Sequence, residues 1–276
     1  SYIKPPKTTS KNQVFSFDIT THMIDGYIHL VDSSLQGFNN SLITDSINTI
    51  TNDLVLNANV PWFKYSQYSF SDAVVKANGN YEKLTLTGQT TNVTIGDSLN
   101  IPLATFDITA QNDVSNVKIF SGGNSTVDQA RLNAIVRTYS DGVNILFEPS
   151  SFVLNGKTWQ IEDKGELEFR KNTPAHGQLL LKEGMQEIRI RTLPSDVGNW
   201  NDIAIAIKNL NLGDIAPYIL PRNRLEGLAN ANVVLENPGK NMRIVSDDFI
   251  GRGIRFDNDS LGDVSARVVY DMVTQE

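Results

Sequence analysis

Apolar residues recur at every second position in short segments along this chain, and turn residues separate the segments. The clearest run spans Asn201 to Pro238. Ile203, Ile205 and Ile207 alternate first. Asn209-Leu210-Asn211-Leu212-Gly213-Asp214-Ile215-Ala216-Pro217 then reads as a turn, with a second proline at Pro221. The following segment puts Leu225, Gly227, Ala229, Ala231, Val233 and Leu235 on one face, and Glu226, Asn230, Asn232 and Glu236 on the other. Successive strand residues point to opposite sides, so this pattern predicts a sheet with one apolar and one polar face.

The same period fills the rest of the chain. Phe15, Phe17 and Ile19 lead to Asp25-Gly26, a pair suited to the positive φ of a hairpin turn, with Ile28 and Leu30 beyond it. Leu84 and Leu86 precede Gly88, and Val93 and Ile95 precede Gly96. Ala104, Phe106, Ile108 and Ala110 alternate with Thr105, Asp107 and Thr109. Val143, Ile145 and Phe147 follow, then Trp159 and Ile161, Leu167 and Phe169, Leu179 and Leu181, and Ile188 and Ile190. A last strand carries Val264, Ala266, Val268 and Tyr270. The prediction is an all-β chain with little helix.

Two segments read both ways. Ile43, Ile47, Ile50 and Leu54 have the spacing of a short helix face, yet β-branched isoleucines and threonines disfavour a helix, and a crossing loop is the alternative. In Asn124 to Tyr139, Leu132, Ala134 and Val136 alternate while Ala130 and Ala134 suit a helix. A faint repeat sets Asp97-Ser98-Leu99 against Asp259-Ser260-Leu261. At the same offset Ala104, Phe106 and Ile108 fall on Ala266, Val268 and Tyr270, which suggests duplication of a β unit.

A chain of 276 residues holds one large β domain or two smaller ones, and the expected units are residues 1–115 and 116–276. The net charge of −7 argues against nucleic acid as a partner, because phosphate binding needs a basic patch. Arg189 and Arg191 alternate with Ile188 and Ile190 and read as a solvated strand face. The chain has no cysteine, which excludes disulfides and thiolate metal sites. No apolar run reaches the roughly 18 residues of a spanning helix. The opening Ser1-Tyr2-Ile3-Lys4-Pro5-Pro6 lacks an initiator methionine and an apolar signal region, so the expectation is a piece of a longer polypeptide.

Catalytic chemistry finds little support. His22, His29 and His176 stand far apart, in no metal-ligand spacing. Nucleophile elbows, phosphate loops and dinucleotide fingerprints are missing; Gly251-Arg252-Gly253 lacks the third glycine. Asp257-Asn258-Asp259-Ser260-Leu261-Gly262 imitates a calcium loop, but Leu261 takes a ligand position and Val268 replaces the bidentate glutamate, so it reads as a turn. Glu166 and Glu168 could form a glycosidase pair, but Leu167 and Phe169 on the alternate face make them the solvated side of a strand. Sequons at Asn39, Asn92, Asn124 and Asn258 would matter only in a glycosylating secretory pathway. The expectation is no enzyme, no metal and no cofactor.

The half from Trp159 to Asp271 resembles the C-terminal region of the TamB family, within the AsmA-like lipid-transfer proteins. The resemblance rests on Trp159-Gln160-Ile161, Gly165-Glu166-Leu167, Leu179-Leu180-Leu181, Ile188-Arg189-Ile190, Leu210 to Pro221 and Leu225-Glu226-Gly227, in that order. Leu84-Thr85-Leu86-Thr87-Gly88 and Ile95-Gly96-Asp97-Ser98-Leu99 match more loosely. The polar tail Val273-Thr274-Gln275-Glu276 departs from the family's chain terminus. The resemblance implies an elongated antiparallel sheet curled into an open gutter, the β-taco, with an apolar concave groove. It also implies a periplasmic module of a longer, inner-membrane-anchored protein in a Gram-negative envelope. That module would carry phospholipid acyl chains between the two membranes and be linked to outer-membrane protein assembly. Aligned apolar faces would line the groove with Leu167, Phe169, Leu179, Leu181, Ile188, Ile190, Ile203, Ile205, Ile207, Ala229, Val233 and Leu235.

Two alternatives belong to other classes. An assembly chaperone would pair an exposed sheet edge with strands of an outer-membrane β-barrel partner. A carbohydrate-binding or adhesive β-sandwich would need clustered aromatic platforms, whereas Trp62, Trp159 and Trp200 are isolated.

Overall fold

A computed structural model describes residues 13–30, 32–96, 99–122, 127–162, 164–195, 200–220, 222–238 and 241–271. Strands take 74% of the chain and helices 4%, so the fold is all-β, as the alternation predicts. The chain groups into two compact units that divide between Ser140 and Asp141. Residues 115 and 116, where a boundary was expected, both lie within one strand of the first unit.

The first unit runs β1 (Val14–Thr20), α1 (Asp25–Ile28), β2 (Leu35–Gly37), β3 (Leu42–Asn48), β4 (Asp53–Tyr65), β5 (Tyr68–Gly79), β6 (Lys83–Ile95), β7 (Leu99–Gln111), β8 (Val114–Ser121) and β9 (Val127–Tyr139). β1 pairs with β3, and from β3 onward each strand pairs antiparallel with the next. β2 pairs with the far end of β4. Residues opposite one another in a ladder share a face. One row therefore runs Phe17, Asp45, Leu56, Ala77, Leu86, Ile108, Val117 and Ala134. The neighbouring row places Gly88 opposite Phe106. A Cβ on Gly88 would lie 2.3 Å from the Phe106 ring. The glycine thus sits inside a strand because the aromatic ring lies over it, and β6 runs through Gly88 as one strand.

Across the first unit a line of broken pairing passes through Pro61, Asp72, Thr91 and Leu103. The registers on either side of it are continuous, so no residue is inserted. Pro61 has no N–H to give, and Asp72 and Leu103 take left-handed φ of 47° and 51°. Hydroxyls serve the carbonyls set free: Thr90 Oγ1 donates to the Ser71 and Asn92 carbonyls at 2.6 and 2.9 Å. Thr91 Oγ1 donates to Asp72 Oδ2 at 2.9 Å. Beyond the line the apolar positions are out of phase with those before it. Phe63 and Phe70 stack there with centroids 4.6 Å apart, and Phe38 adds a tilted ring at 5.1 Å from Phe63.

The second unit runs β10 (Gly142–Leu154), β11 (Lys157–Ile161), β12 (Glu166–Arg170), β13 (Thr173–Glu183), β14 (Gln186–Leu193), β15 (Asp202–Asn211), α2 (Leu212–Ile219), β16 (Leu225–Glu236), β17 (Arg243–Phe256) and β18 (Asp259–Asp271). β11 and β12 pair with opposite ends of β10 and both pair with β13. From β13 to β18 the strands pair in series, antiparallel.

Three local expectations change. Asp25-Gly26 opens the one-turn helix α1 rather than a hairpin, so Ile28 and Leu30 are not in a strand. The Asp25 carboxylate accepts from Gly37 N at 2.6 Å, and Asn39 Oδ1 accepts from Ile24 N at 2.7 Å, which fixes the helical turn. The segment from Ile43 to Leu54 is neither helix nor loop crossing: Ile43 and Ile47 lie in β3, Leu54 in β4, with Ile50 in the turn between. Their β-branched side chains suit a pleat better than a helix. The expected turn after Ile207 contains the two-turn helix α2. Of the two-way segment near Asn124, residues 127–139 form the strand β9. Asp97, Ser98, Asn124, Pro221, residues 1–6 and residues 273–276 lie outside the described residues, and with them the first copy of the Asp-Ser-Leu repeat and one sequon.

Candidate functional site

The apolar face of the second unit gathers most of the residues expected to line a groove. Leu179, Ile190, Ile205, Val233, Ser246 and Val268 form one row across β13 to β18. A second row holds Ile161, Leu181, Ile188, Ile207 and Ala231. Ile203 faces Leu235, and Leu167 faces Gly177. A Cβ on Gly177 would lie 2.6 Å from Leu167 Cδ2, so Leu167 lies across its partner strand. Leu167, Leu179, Leu181, Ile188, Ile190, Ile203, Ile205, Ile207, Val233 and Leu235 are all half-buried, whereas Lys208 on the other face is exposed. Two expected residues differ. Phe169 is 45% exposed, and Ala229 is 2% exposed, closed in beside Leu210.

Leu210 joins this face through a register shift. Ile207 pairs with Ala231 but Leu210 pairs with Ala229, which leaves one extra residue on β15. Asn209 takes the left-handed φ of 50° there, and its N–H donates to Asn230 Oδ1 at 2.9 Å. Strict alternation from Ile203 puts Leu210 on the polar side, so sequence reading missed it. The Asn-Leu-Asn triplet was the available signal, since Asn tolerates left-handed backbone and caps helices.

α2 closes one margin of the face. Asn211 Oδ1 accepts from Gly213 N at 3.0 Å and caps the helix, and the helix packs on β16. Lys157, Glu183 and Gln186 lie at the ends of β11, β13 and β14, in phase with Ile161, Leu181 and Ile188. Asp214 of α2 reaches into them. Lys157 Nζ donates to Asp214 Oδ2 at 2.6 Å, and Gln186 Nε2 donates to the same oxygen at 3.0 Å and to Glu183 Oε2 at 2.6 Å. Gln186 Oε1 accepts from Asn211 N at 2.7 Å. The Asp214 side chain is 4% exposed, so this carboxylate depends on its partners. Trp159, 1% exposed, is buried on the same face of β11 as Lys157 and stacks parallel to Phe152 at 6.4 Å.

Polar atoms without partners punctuate the apolar faces. Among the described residues Ser246 Oγ and Trp159 Nε1 of the second unit and Asp45 Oδ1 of the first have no hydrogen-bond partner. Several polar side chains of the second unit are paired with one another instead. Glu166 accepts from Asn144 at 2.6 Å and Glu168 pairs with Arg170 at 2.7 Å, so each of these carboxylates has its own partner. Arg189 pairs with Glu187 at 3.0 Å. The backbone N–H of Asn232, with its side-chain amide, holds the Asp248 carboxyl below the usual carboxylate range. The Arg224 N–H and the Asn223 amide do the same for Asp257, in the turn between β17 and β18. His22, His29 and His176 are exposed, and among the described residues no three His, Asp or Glu side chains group as metal ligands. Gly251-Arg252-Gly253 lies within β17.

No protein-family model, curated protein or solved structure matches the chain.

Proposed function

We propose that this protein is a non-enzymatic module that carries phospholipid acyl chains against the apolar face of its sheet, in the periplasm between two membranes. The observation that supports this most directly is the pair of rows through Leu179–Ile190–Ile205–Val233 and Leu181–Ile188–Ile207, whose large aliphatic side chains keep part of their surface accessible. A sheet's apolar face needs a cover, and an acyl chain supplies one at about 0.8 kcal/mol per buried methylene. Such a wall reads chain shape and leaves head groups undistinguished. The TamB resemblance points the same way.

A photo-crosslinking residue at Ile205 tests the reading. It should label lipid in cells, while one at Lys208, on the opposite face, should not. Equal labelling at both positions, or no lipid released by organic extraction of the purified protein, would rule the carrier out.

One observation favours the assembly-chaperone reading as second. Among the described residues β18 pairs with β17 alone, leaving a 13-residue edge on which an incoming strand could pair. Crosslinks from β18 to β-barrel precursors, without lipid at Ile205, would favour it.

A further inference from the structure

The polar face of the first unit carries an unassigned depression of about 590 Å³. A twisted sheet is a saddle, so each of its faces is concave along one diagonal. The floor is a ladder row of Lys76, Thr87, Asp107, Lys118 and Asn133 across β5 to β9. The next row adds Gln89, Thr105, Phe120 and Arg131.

Three cations face one carboxylate here, in a chain whose net charge is −7. Arg170, Arg189, Arg224, Arg243 and Arg267 all have acidic partners elsewhere, but among the described residues Lys76, Lys118 and Arg131 have none. Lys118 and Arg131 are diagonal neighbours on β8 and β9, and Asp107, opposite Lys118 on β7, is the one carboxylate set against the three cations. The Arg131 guanidinium lies 5.8 Å over the Phe120 ring. A ring, not a carboxylate, holds it there, and its N–H groups stay available to an acceptor.

We propose that this depression binds a short acidic oligosaccharide, held by charge and hydroxyl contacts rather than by the stacked aromatic platforms that a neutral sugar needs. Lys76 and Lys118 are three strand spacings apart, about 14 Å, so a ligand that meets both is extended and carries at least two anionic groups. A single phosphate cannot span them. Thr87, Gln89 and Thr105 lie between and offer donors and acceptors to hydroxyls. The volume falls within the roughly 300–1,000 Å³ of small-ligand sites. The net charge of −7 disfavours a long polyanion such as nucleic acid. The depression belongs to the first unit and the aliphatic rows of the lipid reading to the second, so it stands or falls independently of that reading.

Calorimetry on the full chain with trigalacturonate, neutral galactotriose, inorganic phosphate and a short oligothymidylate tests the proposal. Trigalacturonate should bind, with affinity falling as salt rises, and galactotriose should bind at least tenfold more weakly. The double variant Lys118→Gln/Arg131→Gln should lose tenfold or more, while Arg189→Gln, on the second unit, should change nothing. Both variants should keep the wild-type circular dichroism, since all three side chains are exposed. No binding of trigalacturonate, equal binding of phosphate or oligothymidylate, or an undiminished affinity in the double variant would overturn it.

Discussion

The inner strands of the two units carry the same alternation with different side chains. β5 presents Ala73, Val75, Ala77 and Gly79 to its apolar face, and β15 presents Ile203, Ile205 and Ile207. Small residues let neighbouring side chains such as Phe106 lie flat on the sheet, whereas branched ones stand up as a wall. The ends differ too. In the first unit the hydroxyl of Ser41, fully buried, donates to the Phe38 carbonyl at 2.9 Å, and the Ser41 N–H donates to Thr21 Oγ1 at 2.8 Å. Those are neutral bonds. The second unit closes its margin with a buried carboxylate and a lysine under a helix. The lesson is that the first margin has modest strength and low risk, while the second is strong only while every partner is present.

Removing that carboxylate should have the largest effect. Asp214→Ala strands Lys157 and Gln186, and since Lys157 is 35% exposed the expected loss is about 2–3 kcal/mol in urea unfolding. Ser41→Ala in the first unit should cost about 1 kcal/mol. Equal losses would erase the contrast between the two margins.

A smaller effect tests the flat packing of the first unit. Gly88→Ala should destabilise by about 1–2 kcal/mol, because the new methyl meets the Phe106 ring. In a Phe106→Ala background the same substitution should cost almost nothing. An additive double mutant would show that the ring does not need the glycine.

The smallest effect concerns acid. Asp257 has its carboxyl pKa depressed by the Arg224 N–H and the Asn223 amide. Its contribution to stability is therefore complete above the unfolded carboxylate value, about 3.9, and lost as pH falls through the lower folded value. Asp257→Asn should lower stability at pH 7 by this small contribution, flatten the lowest part of the acid-unfolding curve, and match the wild type below the folded value. A shift of the whole curve would assign Asp257 another role.

Much of the fold is legible in period two, because side-chain alternation follows directly from the pleat. Ile203, Ile205 and Ile207 announce β15, and Val264 to Tyr270 announce β18. What alternation cannot carry is a change of phase. Leu210 crosses to the apolar side through a shift that depends on Asn209 and its bond to Asn230. Val93 and Ile95 read in sequence as a segment separate from Leu84 and Leu86 because the phase changes at Thr91 within β6. α2 was hidden because Gly213 and Pro217 read as turn residues, while the cap at Asn211 and the buried partners of Asp214 outweigh them. The residues of the apolar face in the second unit came from the regular strands, and those at its margin came from the irregular ones. The depression on the polar face depends on which strands lie side by side, so no single segment contains it.

The line through Pro61, Asp72, Thr91 and Leu103 also constrains how such a chain can change over time. Each inner strand bonds to a neighbour on both sides, so an altered phase in one leaves two ladders mismatched. A deletion near Asp72 would have to be matched near Thr91 and again near Leu103 before the sheet could close its bonds. Drift at these positions should therefore be concerted. Homologous chains would keep all the breaks at one level or lose them together, and positions 19 or 12 residues apart in sequence would vary as one.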